Sequence, residues 1–212
     1  MNISPVMLEG TVVRLEPLTL MHLDALCEVG LEPSLWALTS NTVNSAQDMR
    51  EYVEQALSEQ HAGSALPFAT VERASGRVIG STRFGNITPP HRRIEIGWTW
   101  ISPPWQRSPV NTEAKLLMLT HAFETLGCRR VELKTSALNT RSRNAMLRIG
   151  ATEEGTLRQH MINSDGSSRD SVYFSILDAE WGAVKARLER FLERVWIISP
   201  PTPEPTPAPA RH

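Results

Sequence analysis

Between Arg92 and Ile101 apolar and polar residues alternate, with Ile94, Ile96, Trp98 and Trp100 on one side and Arg93, Glu95, Gly97 and Thr99 on the other. A two-residue period predicts a strand with one face in a core. Downstream, Leu116, Leu119, Ala122, Phe123 and Leu126 recur at helical spacing. They predict a helix from Thr112 to Leu126, with Asn111 as its cap and Gly127 as its stop. The same reading predicts strands over 12–18, 67–72, 78–84, 131–135, 154–161 and 171–176. Helices are predicted over 20–29, over 46–60 with Ser45 as cap and Asp48 at its third position, over 140–149 between Asn139 and Gly150, and over 179–196. The order is β-α-α-β-β-β-α-β-α-β-β-α, with no internal repeat.

Composition narrows the class. The 212 residues carry a formal net charge of −1 and are 41% hydrophobic. That suits a soluble globular chain and argues against a dedicated nucleic-acid binder, which carries a basic excess. No apolar run approaches the roughly 20 residues that span a bilayer, and no secretory leader pattern opens the chain. Two widely separated cysteines, Cys27 and Cys128, fit a reducing cytoplasm better than a disulfide framework. The six histidines show no metal-ligand spacing, so no metal is expected. Six of the 15 prolines lie in the last 14 residues. One domain over about 5–198 and a disordered, proline-rich tail over 199–212 are therefore expected.

A strand, a Pro103-Pro104-Trp105 break, a polar turn and then a helix start have the geometry of an anion site, and equally that of an ordinary helix start that binds nothing. The turn Gln106-Arg107-Ser108-Pro109-Val110-Asn111 offers backbone donors and one guanidinium. From Cys128 to Gly150 six basic residues stand against one acidic residue, Glu132, a local excess of +5. Such an excess reads as an electropositive rim or as an ordinary solvated face.

The order of these motifs resembles the GCN5-related N-acetyltransferase (GNAT) superfamily, and within it the ribosomal-protein N-acetyltransferase-like group. The resemblance covers about residues 8–195. It rests on Leu8-Glu9-Gly10 with Val13-Arg14-Leu15, Glu95-Ile96-Gly97-Trp98, Pro103 to Trp105 and Asn111-Thr112-Glu113-Ala114. Asn139 with Ser142, Gly150, Asp165-Gly166, Arg169-Asp170 and Trp181 complete it. It implies an α/β fold of the acyl-CoA N-acyltransferase type: a mixed, mostly antiparallel sheet flanked by helices. The sheet should splay between the Arg92–Ile101 and Val131–Thr135 strands. It also implies acetyl-CoA as cosubstrate and an amine acceptor, such as a protein N-terminus or a small molecule, with direct attack in a ternary complex. A homodimer is open, and so are another acyl donor such as succinyl-CoA and a non-catalytic module of the same fold.

The resemblance also assigns roles. Gln106, Arg107, Ser108, Val110, Asn111 and Thr112 would hold the pyrophosphate, with Arg143 as a further phosphate contact. Asn139 would meet the pantetheine. Where the family loop is glycine-rich, this chain has Ser108, and Pro109 removes one N–H donor. An acceptor ammonium must lose a proton before it attacks, so a carboxylate base is useful. Glu95, a mid-strand carboxylate, is the expected base or else one half of an ion pair. Ser142 would serve the departing thiolate. The position one turn along, where many relatives carry tyrosine, is Met146.

Overall fold

The computed structural model describes residues 1–163 and 165–193. Eight strands form one sheet: β1 (Leu8–Glu9), β2 (Val13–Pro17), β3 (Leu66–Glu72), β4 (Val78–Thr88), β5 (Arg93–Ile101), β6 (Arg130–Ser136), β7 (Thr152–Ile162) and β8 (Ser168–Leu177). Their spatial order is β1-β2-β3-β4-β5-β6-β8-β7. Every pair is antiparallel except β5 with β6. The helices are α1 (Leu23–Gly30), α2 (Ala46–His61), α3 (Val110–Thr120), α4 (Thr140–Ile149) and α5 (Trp181–Glu193). The proline-rich tail and the expected end of the last helix lie outside the described residues.

The sheet separates two apolar clusters. On one face Ile94, Ile96 and Phe84 pack with Met118 and Leu119 of α3 and with Trp181 and Leu188 of α5. On the other face Leu26, Met49, Val53 and Trp36 enclose Trp100. Trp36 is held there by its indole N–H, which donates to the Gly30 carbonyl at 2.7 Å.

The alternation expected along β5 breaks at Trp98. Two residues of β5, Trp98 and Thr99, face a single residue of β4, Thr82. This is a β-bulge, and Trp98 takes a left-handed φ of 50°. The extra residue inverts the register of faces. Ile94 and Ile96 point toward α3, whereas Trp98 and Trp100 join the α1–α2 cluster on the face of Glu95. Trp98 fits because Gly85 has no side chain: a Cβ there would sit 2.3 Å from the Trp98 ring.

α3 also differs from expectation. It starts at Val110 with Pro109 as N-cap, so Asn111 lies inside the first turn rather than capping it. The regular helix ends at Thr120, and a π-helical turn, His121–Thr125, completes the expected span. Glu113 ties the helix to the chain start. Its carboxylate accepts from the backbone of Thr11 at 2.9 Å, Val12 at 2.6 Å and Val13 at 2.7 Å, and from the Thr11 hydroxyl at 2.6 Å. Gly10 leaves room for it, since a Cβ there would lie 2.4 Å from the carboxyl carbon. Two separated motifs, Leu8-Glu9-Gly10 and Thr112-Glu113-Ala114, are thus one contact.

Candidate active site

The one parallel pairing is short. β5 and β6 meet only at Arg93–Arg130, Ile94–Val131 and Glu95–Glu132. Beyond Glu95 the strands diverge and leave a wedge between Gly97–Ile101 and Leu133–Ser136. Helix α3 follows β5 and α4 follows β6, so both helix starts lie at the mouth of this wedge. The expected splay is present.

Glu95 stands at the apex and is 2% exposed. Asn86 Nδ2 donates to its Oε2 at 2.7 Å, and the Lys134 ammonium lies 3.2 Å from the same oxygen. Both partners use Oε2. The other oxygen, Oε1, faces the bulge: a Cβ on Gly97 would be 2.9 Å from it. A side chain at position 97 would therefore displace the carboxylate. Glu95 is thus one half of an ion pair with Lys134, while Arg93 of the same strand pairs with Glu132 at 3.4 Å.

Around Glu95 the same sheet face carries polar residues that the sequence did not single out as a group. The Arg83 guanidinium lies 4.9 Å from the Trp98 ring centre and pairs with Glu59 at 2.6 Å. The Tyr52 hydroxyl donates to the Trp98 carbonyl at 3.3 Å. Burial pushes the Tyr52 phenol up, an effect that the Arg83 charge opposes. Lys134 sits between the rings of Trp98 and Tyr173, 5.9 Å from each centre. Arg169 of β8 is buried, its Nε has no partner among the described residues, and burial lowers its pKa against the pull of Glu95. Spacing along the chain carries no signal for this grouping; it follows from register, since Lys134 is two residues from Glu132, which pairs directly with Glu95. On the same side, a cavity of about 230 Å³ lies between the α1–α2 connection and the β7–β8 hairpin, lined in part by Trp36, Asn44, Asn163 and Asp165.

At the mouth, Pro109 does not deplete the helix start. It occupies the N-cap, ahead of all first-turn amides. The Val110 amide donates to Ser108 Oγ at 3.3 Å. The amides of Asn111 and Thr112 have no acceptor among the described residues, and the Asn111 Oδ1 is buried and unpaired. Two free amides at the positive end of a helix suit a phosphate. Arg107 adopts φ 61°, the left-handed conformation that a glycine takes without strain. Gln106 donates to the Ile101 carbonyl at 2.7 Å and accepts from Arg141 at 2.7 Å, which links the two sides of the mouth.

The basic residues divide. Arg143 turns away from the loop to Glu153 at 3.2 Å and to the Ala137 carbonyl. Arg141 reaches Gln106, and Arg148 donates to the Thr112 hydroxyl at 2.9 Å. With Arg107 these two, rather than Arg143, border the free amides. Asn139 caps α4 by accepting from the Ser142 amide at 2.9 Å. The Ser142 hydroxyl makes no hydrogen bond among the described residues.

A mostly antiparallel sheet that splays after its one short parallel pairing, with a helix start at the mouth of the wedge, has the architecture of the acyl-CoA N-acyltransferase fold. The chain belongs to the GNAT acetyltransferase family: the Acetyltransferase (GNAT) domain pattern matches residues 13–152. A Bacillus subtilis (strain 168) relative named "Putative ribosomal N-acetyltransferase YdaF" is 34% identical over 110 residues, 52% of this chain and 59% of that protein. The match thus spans about three-fifths of that relative's length. A solved acetyltransferase structure from T. thermophilus superposes with TM-score 0.82 at 36% identity, covering 91% of this chain and 100% of the other. Mycobacterium smegmatis RimJ, solved with CoA-disulfide, shares the fold with TM-score 0.73 at 23% identity, covering 89% and 93%. Family members use acetyl-CoA as acetyl donor. No helix among the described residues is long and apolar enough to cross a membrane.

Proposed function

We propose that this chain transfers the acetyl group of acetyl-CoA to a primary amine, a protein N-terminus or a small-molecule amine, by direct attack within a ternary complex in the cytoplasm. The observation that carries the reading is Glu95 at the wedge apex, with one oxygen anchored by Asn86 and Lys134 and the other turned to the bulge at Gly97.

Acetyl-CoA supplies the activated thioester; the chain's own groups do the rest. The free amides of Asn111 and Thr112 receive the pyrophosphate, with Gln106, Ser108 and Val110 shaping the turn and Arg107, Arg141 and Arg148 supplying positive charge. Asn139 holds the start of α4 beside the wedge, and the Ser142 hydroxyl is free to give the departing sulfur a proton. Backbone N–H groups at the Trp98 bulge polarise the carbonyl under attack.

The acceptor amine enters from the α1–α2 face, where Lys134, Tyr173 and Arg169 surround Glu95 and where Asp165 offers a carboxylate to an incoming ammonium. Glu95 takes the proton that the amine loses. Burial raises the thiol pKa of both Cys27 and Cys128, so neither is an activated thiolate, which favours direct attack over an acyl-cysteine. Calorimetry with acetyl-CoA, followed by an acetyl-CoA consumption screen across amines and peptides, tests the reading. Binding together with acceptor-dependent thiol release is expected. No binding at millimolar acetyl-CoA rejects it.

A further inference from the structure

The chain has three lysines, Lys115, Lys134 and Lys185. Two are neutralised: Lys134 lies 3.2 Å from Glu95, and Lys185 lies 2.8 Å from Glu124. Lys115 has no carboxylate partner among the described residues. It is 6% exposed, and its Nζ donates to a single group, the Thr99 hydroxyl, at 2.9 Å. That hydroxyl also lies 2.7 Å from the Thr82 hydroxyl, so it is fixed from the other side.

The location gives this amine its interest. Thr99 is the second bulge residue of β5, is exposed, and lies four residues past the Glu95–Glu132 pair where the sheet parts. Lys115 stands six residues into α3, whose start carries the free amides. The amine tip is therefore held against the wedge wall on the α3 face, opposite the face that carries Glu95.

We propose that Lys115 is an internal acyl acceptor: with acetyl-CoA in the wedge and no amine substrate present, the acetyl group passes to Lys115 Nζ. The proposal rests on the reading that the wedge takes acetyl-CoA.

An ammonium buried without a counter-ion is costly, so the neutral amine is favoured. Burial lowers the Lys115 pKa to about 7, which leaves a large neutral fraction at neutral pH. A desolvated neutral lysine is an activated nucleophile. The Nζ lone pair forms a bond to the thioester carbonyl carbon. The carbon–sulfur bond breaks, and the sulfur leaves with its electron pair. One Nζ proton passes to it, giving the free thiol of CoA and an amide on Lys115. No oxidant or further reactant is needed, and the amide N–H can still donate to Thr99.

The test is to incubate the full chain with acetyl-CoA and no acceptor, then map acetylated peptides by mass spectrometry over time. Lys115 is expected to gain an acetyl group at least about tenfold faster than the more exposed Lys185, because the donor is held beside it. The fraction of Lys115 modified per unit time should be independent of protein concentration and should saturate with acetyl-CoA. Acetic anhydride, a donor that needs no wedge, should reverse the order and mark Lys185 first. Lys115→Arg should lose the signal from that peptide. Acetyl-CoA binding by calorimetry with Lys115 unmodified overturns the proposal and leaves the wedge reading intact. A fraction modified per unit time that rises with protein concentration overturns it as well. Absence of acetyl-CoA binding overturns the wedge reading and this proposal together.

Discussion

Glu95 Oε2 and Lys134 Nζ stand 3.2 Å apart across the point where β5 and β6 separate. One is buried and the other nearly so, and the pair fixes the carboxylate from the β6 side while Asn86 fixes it from β4. Removing one partner of a buried pair leaves an uncompensated charge, which costs more than the pair contributes. The carboxylate is thus held in one orientation, with Oε1 toward the Gly97–Trp98 bulge. A base needs this preorganisation, because the proton it removes lies at a fixed place.

Glu95→Gln keeps the shape and the Asn86 and Lys134 neighbours but removes the proton acceptor. Turnover should fall by about 10²- to 10⁴-fold, the range of general-base catalysis. Acetyl-CoA affinity should change little, and the acidic limb of the pH–rate profile should disappear. Steady-state kinetics from pH 5.5 to 9 with any active acceptor measures this. Unchanged turnover across the range would reject Glu95 as the base.

Arg107 combines two roles that substitution can separate. Its φ of 61° costs about 1 kcal/mol for a residue with a Cβ. Arg107→Gly should raise the unfolding midpoint while weakening acetyl-CoA binding several-fold and flattening its salt dependence. Arg107→Ala should weaken binding equally but give no gain in stability. Thermal unfolding and calorimetry at two salt concentrations read both effects. Equal melting points for the glycine and alanine variants would remove the strain argument.

Where the sequence and the structure agree, a local rule was enough. Ser45 with Asp48, Asn139 with Ser142 and the Gly150 stop at φ 103° are capping relations within four residues. The faces of β5 beyond Gly97 were not legible, because a bulge adds one residue without a marker in composition and then inverts every later side chain. Pro109 looked like a lost donor until its N-cap position showed that the first-turn amides all come after it. Arg143 was singled out for its place on the first turn of α4, but Glu153 on β7 takes its guanidinium, and strand partners are not visible from spacing. Glu95 was legible as an unusual carboxylate. Its partners, Asn86 and Lys134, belong to neighbouring strands and required the register.

Glu113 gives the sharpest test of the fold. Four donors from exposed Thr11, half-buried Val12 and buried Val13 converge on its carboxylate, which belongs to a side chain that is itself buried. Glu113→Gln presents an amide NH₂ to these donors and leaves at least one unpaired. A loss of about 2–4 kcal/mol in unfolding free energy is expected from a broken buried network. Urea unfolding measures it, and a loss under about 0.5 kcal/mol, on the order of an exposed hydrogen bond, would show that the contact is dispensable.

Glu154 makes stability depend on pH in one direction. Arg130 donates to it through its two terminal guanidinium nitrogens and the Ser175 hydroxyl adds a bond at 2.8 Å, which holds its pKa at about 2 against an ordinary 4.5. A depressed folded-state pKa stabilises the protein above the unfolded value and loses that contribution as pH falls toward the folded one. The contribution is therefore complete above about pH 5 and fades between about pH 4.5 and 2. The carboxylate side chain is 38% exposed, so solvent screening limits it to about 1 kcal/mol. Glu154→Gln should be less stable than the parent by that amount at pH 7, and the two should converge as pH approaches 3. Urea unfolding at pH 7, 5, 4 and 3 follows the difference. A gap that stays constant down to pH 3 would mean that packing, and not the charge, is what Glu154 supplies.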